Sequence, residues 1–132
     1  MRRLLCVSLA LATLATPLTA AAAQRWHQGW RVIGFKTVGM GTDRDTIRVR
    51  GNERFRQVRL CSYNRPIRLL DFGVRFANGG RQDLQVRNRI APNSCTRAID
   101  LRGQARNIDQ VELTYERIDR RLGAPLIRVS AR

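Results

Sequence analysis

The chain has 132 residues, 25 basic against 10 acidic, with a formal net charge of +15, and Lys36 is its only lysine. That length suits one ordinary domain with a modest core and leaves little room for a second. A single histidine, His27, excludes multi-histidine metal sites and confines any Ser-His-Asp arrangement to the N-terminal segment.

The chain opens with Met1-Arg2-Arg3, an apolar run from Leu4 to Leu18, and the small residues Thr19-Ala20-Ala21-Ala22-Ala23. This is the pattern of a secretory signal peptide, here residues 1–23, expected to be cut after Ala22 or Ala23. The apolar run is interrupted by Ser8, Thr13, Thr16 and Pro17. It falls short of the roughly 20 residues a spanning helix needs. The reading is therefore bacterial export to the periplasm or the medium, with no membrane span in the mature chain. With Arg2 and Arg3 removed, 23 basic and 10 acidic residues remain, a net charge of +13.

Residues 24–29 read as a flexible lead-in to a single domain, 30–132. From Trp30 onward, short apolar-alternating segments recur between Gly, Asn, Asp and Pro clusters, the spacing of an antiparallel sandwich. Eight strands are expected, arranged as a jelly-roll-like β-sandwich: 30–38, 46–50, 55–63, 67–76, 83–87, 96–101, 108–115 and 126–129. The fourth changes parity, since Ile67 and Leu69 share one face while Phe72, Val74 and Phe76 fall on the other, and a bulge near Leu70-Asp71 reconciles them. Asn78-Gly79-Gly80 accepts positive φ at little cost and closes a hairpin. Residues 116–123 are charged and read as a surface loop.

Alternation sends successive side chains to opposite faces. Beside many inward residues stands an arginine, which makes Arg48, Arg50, Arg59, Arg68, Arg75, Arg87 and Arg128 candidates for an outer basic face. Guanidinium groups match phosphate and carboxylate bidentately, so such a face suits an anionic component of the cell envelope. The same content follows, without any ligand, from a codon bias toward arginine and from charge that keeps sheet edges apart. Nucleic acid is disfavoured, because only eight aromatics are available as stacking platforms and most fall at expected core positions.

Exported chains form disulfides, and Cys61 and Cys95 are the cysteines of the mature chain. Parity opposes the bridge: Cys61 faces away from Val58 and Leu60, whereas Cys95 aligns with Ile99 and Leu101. Bridging needs a bulge or strand end between them; otherwise both pack as small apolar thiols. Asp43 and Asp45 are weak candidates for a Ca²⁺ site, which needs more oxygens than they supply, so a turn with pairing to nearby arginines is preferred. Of the carboxylates Asp71, Asp100, Asp109, Glu112 and Glu116, no two stand out as an acid–base pair. Arginine neighbours would lower their pKa, which suits a general acid badly. No cofactor and no enzymatic activity is expected. An envelope protein that docks on an edge strand is the alternative partner.

Trp30-Arg31-Val32-Ile33-Gly34, Asp43-Arg44-Asp45, Val58-Arg59-Leu60, Val74-Arg75-Phe76-Ala77-Asn78-Gly79 and Arg97-Ala98-Ile99-Asp100-Leu101-Arg102-Gly103 occur in that order. With the continuation through Arg106 and Ile108 to Tyr115, this succession resembles a family of small exported proteobacterial proteins catalogued only as a domain of unknown function. The resemblance implies export and an all-β domain. It transfers no catalytic or binding residue.

Overall fold

The computed structural model describes residues 29–121 and 123–132; the expected signal peptide and residues 24–28, with His27, lie outside them. Eleven strands run in chain order: β1 Arg31–Thr37, β2 Thr42–Arg48, β3 Arg54–Phe55, β4 Gln57–Tyr63, β5 Ile67–Phe76, β6 Arg81–Asp83, β7 Arg89–Ile90, β8 Ser94–Cys95, β9 Ile99–Asp100, β10 Arg106–Arg117 and β11 Leu126–Ala131. No helix occurs among the described residues. One sheet, called A here, has the order β1-β11-β4-β8 with β9 also on β4; sheet B has the order β2-β10-β5-β6 with β3 on β10 and β7 on β5. All pairings are antiparallel.

The two sheets close over one core. Val58 and Leu60 of β4 with Ile127, Val129 and Ala131 of β11 face Leu69, Phe72 and Val74 of β5 and Val111, Leu113 and Tyr115 of β10, all buried. Removing such side chains from water contributes about 1.5 to 3 kcal/mol for each large one. The expected bulge in β5 is present: Asp71 pairs with Thr114 and Leu69 with Tyr115, leaving Leu70 as the extra residue. The Asn78–Gly80 hairpin is also present, with Gly79 at φ 89° and the Gly80 amide donating to Asn78 Oδ1 at 3.0 Å.

Four segments differ from the sequence reading. Thr42 to Asp45 belongs to β2 and not to the turn before it, because β10 is long enough to pair that far, Glu116 with Thr42. The ladder expected at 83–87 lies instead at Arg81–Asp83. Gln85 has φ 49° and its amide donates to Asp83 Oδ1 at 3.0 Å, so the strand ends once the Leu84 amide has donated to the Phe72 carbonyl at 2.8 Å, and Leu84 and Val86 both turn inward. Glu116 and Arg117 belong to β10 and not to the loop that follows. The segment 96–101 is broken: β8 ends at Cys95, and although the Thr96 amide still donates to the Leu60 carbonyl at 2.8 Å, the Leu60 amide is taken by the Thr96 side chain, Oγ1 accepting at 3.1 Å, in place of a backbone carbonyl.

That break removes the parity objection to a disulfide. Cys61 and Cys95 lie directly opposite each other in the β4–β8 pair and are bridged, closing a 34-residue separation. A second tie crosses between the sheets. Buried Gln82 of β6 donates from Nε2 to the Asp100 carbonyl at 3.0 Å and accepts the Arg102 amide on Oε1 at 2.7 Å. On β1, Gly34 sits against the Ile47 side chain so closely that a Cβ there would collide with it.

Candidate functional site

On the outer face of sheet B the arginines of β5 and β6 are paired with carboxylates, whereas Arg44 and Arg48 of the edge strand β2 have none within ion-pair distance among the described residues. Register places Glu116 opposite Arg68, and their side chains meet at 2.6 Å. Glu112 lies opposite Gly73, whose missing side chain lets Arg81 reach across the strand. Arg81 Nε then donates to Glu112 Oε2 at 2.8 Å, while Arg75 approaches Oε1 at 3.4 Å and Asp71 stands 3.8 Å from Arg81. The Arg81 hydrogen bond, supported by Gln110 and Arg75, holds the Glu112 carboxyl below the ordinary glutamate range against the opposing effect of burial. A depressed carboxyl stabilises the fold fully above its unfolded pKa, and that contribution drains as pH falls toward the folded value. Glu112→Gln is accordingly expected to cost a few tenths to about 1 kcal/mol at pH 7. The deficit should shrink at pH 3, as read by urea unfolding at both pH values; an equal deficit at both would contradict the pairing.

Sheet A's outer face differs. Along β11 and one residue past its end, where the Arg132 amide still donates to the Gln57 carbonyl, Arg128, Ser130 and Arg132 point outward in alternation, and on β4 the outward series is Gln57, Arg59, Cys61 and Tyr63. Arg59 lies opposite Ser130, between the two arginines of the neighbouring strand, which stand about 13 Å apart along it. Each guanidinium rests on an aromatic ring: Arg128 lies 4.7 Å from the Tyr63 centroid, and Arg59 and Arg132 lie 4.3 and 4.6 Å from that of Trp30. Among the described residues none of the three has a carboxylate within ion-pair distance, and Arg59 Nε is buried without a hydrogen-bond partner. Stacking of this kind contributes about 0.5 to 1 kcal/mol at exposed sites. It fixes the plane of a guanidinium while leaving its outer N–H edge open to an oxyanion. Phe35, 67% exposed, lies beside Arg128 on β1 and extends the same face.

At the Arg132 end the face runs into an open hollow of about 680 Å³ lined by Arg56, Gln57, Asp100, Leu101, Gln104 and Arg132. Within the lining, Gln57 joins Asp100 to Arg132. Its Nε2 donates to Asp100 Oδ1 at 2.7 Å, and its Oε1 accepts from Arg132 Nε at 2.7 Å.

The seven arginines expected to share a face are divided. Arg59 and Arg128 lie on sheet A; Arg68 and Arg75 lie on sheet B with glutamate partners; Arg48 is on β2, exposed at the sheet B edge opposite Gln110. Arg50 follows β2, and Arg87 lies in the loop between β6 and β7. Arg132, Trp30 and Tyr63 were not singled out as site residues. Continuing the alternation of β11 past Arg128 would have found Arg132, but nothing local marks Trp30 as a platform for arginine and not a core anchor.

Asp43 accepts the Gly39 amide at 2.8 Å, as a turn residue would, although it lies within β2. Asp45 accepts from the Tyr115 hydroxyl, where an arginine was expected. Burial and that carboxylate both push the Tyr115 hydroxyl pKa up, so Tyr115 stays protonated and donates. No group of three or more His, Cys, Asp or Glu side chains arranged for a metal occurs among the described residues. Of the remaining carboxylates, Asp71, Glu112 and Glu116 face arginines, Asp100 faces Gln57, and Asp109 is half-buried on β10.

The family model described as Domain of unknown function (DUF2541) matches residues 4–130, and the chain belongs to that family. No curated protein and no solved structure matches it.

Proposed function

We propose that this member of the DUF2541 family is a binding protein of the cell envelope that holds an anionic polymer against the outer face of sheet A and performs no chemistry on it. One observation carries the reading. Among the described residues Arg59, Arg128 and Arg132 are stacked on Trp30 and Tyr63 with no carboxylate to neutralise them, while Arg68, Arg75 and Arg81 of sheet B are paired with Glu116 and Glu112. Cations scattered by codon bias alone would meet acidic neighbours equally on both faces. Export, implied by the N-terminal pattern of Arg2, Arg3 and the apolar run that follows, would bring this face to envelope polyanions.

Screening supplies the test. Three ionic contacts to a densely charged chain lose roughly 30-fold in affinity between 50 and 200 mM salt. Titration of the protein with a heparin-type glycan at those two concentrations is expected to show a loss of that order, and affinity unchanged by salt would refute the reading.

A second reading rests on β1. Among the described residues it is an edge strand of sheet A, with Val32 51% and Phe35 67% exposed, the arrangement onto which an extended peptide can add as a further strand. Binding of that kind would be insensitive to salt and would survive neutralisation of the three arginines.

A further inference from the structure

We infer that the hollow at the Arg132 end of sheet A is a saccharide subsite, which makes the polymer an acidic glycan whose sugars carry carboxylate groups. The inference rests on the anion-binding reading of the sheet A face and adds to it the class of ligand. Its basis is the one acidic side chain in an otherwise basic hollow.

Asp100 is carried on β9, where it pairs with Gln57 of β4, and the Leu101 amide donating to the Arg56 carbonyl at 2.8 Å fixes the strand in place. Its Oδ1 is engaged by Gln57, and its Oδ2 has no partner among the described residues. Arg56 and Gln104 are exposed, and neither side chain is engaged in a hydrogen bond or ion pair among the described residues. Arg132 is held on one side by Gln57 and on the other by Trp30, so its terminal N–H groups are positioned but unspent. The hollow therefore offers one positioned cation, a second exposed guanidinium on Arg56, a free carboxylate oxygen and an adaptable amide, with the buried Leu101 at its wall.

The carboxylate decides between ligands. A phosphate chain presents acceptors to this hollow, and Asp100 would repel it. A sugar presents hydroxyl donors that Asp100 can accept, and a carboxylate on the same or the next ring can take the guanidinium edge bidentately. A neutral sugar would leave the arginines unanswered. The arrangement thus selects for hydroxyl and anion together, at a spacing of neighbouring groups on one chain.

The test compares three probes by titration calorimetry at low salt: an oligogalacturonate hexamer, inorganic polyphosphate of matched charge, and a single-stranded oligonucleotide of matched charge. The full-length mature protein should bind the hexamer at least tenfold tighter than either other probe. Asp100→Asn keeps an acceptor for Gln57 while discarding the charge. It should weaken the hexamer about fivefold or more and leave polyphosphate unchanged or tighter. Gln104→Ala, at an exposed position remote from the core, should weaken the hexamer alone. Equal affinity for all three probes with all binding lost on neutralising Arg59, Arg128 and Arg132 would overturn the saccharide subsite and leave the anion face standing. Binding that ignores those arginines would overturn both, and a preference for polyphosphate or the oligonucleotide would overturn the subsite.

Discussion

Replacing Arg59, Arg128 and Arg132 together by glutamine is expected to weaken binding of an anionic glycan about 100-fold, whereas the same change at Arg68, Arg75 and Arg81 should alter it less than about threefold. The first figure assumes roughly 1 kcal/mol for each lost contact, the upper part of the range for exposed charges, and a tenfold change for every 1.4 kcal/mol. The reason for the asymmetry is competition. On sheet B an incoming anion must displace Glu116 from Arg68 or Glu112 from Arg75, and the displaced carboxylate then repels it. On sheet A the guanidinium groups rest on Trp30 and Tyr63, which an oxyanion need not displace. Both triple variants remove the same formal charge, so a response to net charge alone would affect them equally. Calorimetric titration of the two variants beside the parent reads the difference, and equal losses would point to a diffuse electrostatic attraction without a site.

Removing the Cys61–Cys95 bridge is the second large effect. Two alanines, or a reductant, should lower stability by about 3 to 4 kcal/mol, from the configurational freedom restored to a 34-residue separation in the unfolded chain. Against a total of roughly 5 to 15 kcal/mol for a domain of this size, that is a large share. It corresponds to a fall in Tm of roughly 15 °C or more. The consequence reaches the proposed site. β8 is two residues long and meets β4 through Cys61 and Ser62, and the same loop continues into β9, which carries Asp100 to the hollow. Thermal unfolding with and without reductant measures the effect; coincident transitions would show that the bridge constrains nothing.

Alternation made much of the fold readable. The β5 bulge follows from the parity conflict between Leu69 and Phe72, because both must reach the core, and the Asn78-Gly79-Gly80 turn follows from φ preferences alone. Where the reading failed, the deciding partner was distant in sequence. β2 begins at Thr42 because Glu116, 74 positions away, is there to pair with it. Leu84 and Val86 alternate inward like a strand, yet no neighbour completes a ladder, since burial and strand pairing are separate requirements. The site suffered in the same way. Period-two polarity tells which arginines face out but not which sheet they join, and it gives no sign that Glu112 and Glu116 will neutralise one set and leave the other bare. Trp30, at the start of a strand, is a residue type that usually anchors a core, yet its ring faces Arg59 and Arg132.

A site on sheet A requires an anionic ligand to land there and not on sheet B. Titrating ¹⁵N-labelled protein with an oligogalacturonate hexamer and following amide and indole shifts would place it residue by residue. The largest movements are expected at the Trp30 indole and at the amides of Arg59, Cys61, Arg128 and Ser130, with Arg68, Gly73 and Glu112 nearly still. Shifts concentrated on the β5 and β10 amides instead, or spread evenly over both sheets, would contradict a site on sheet A.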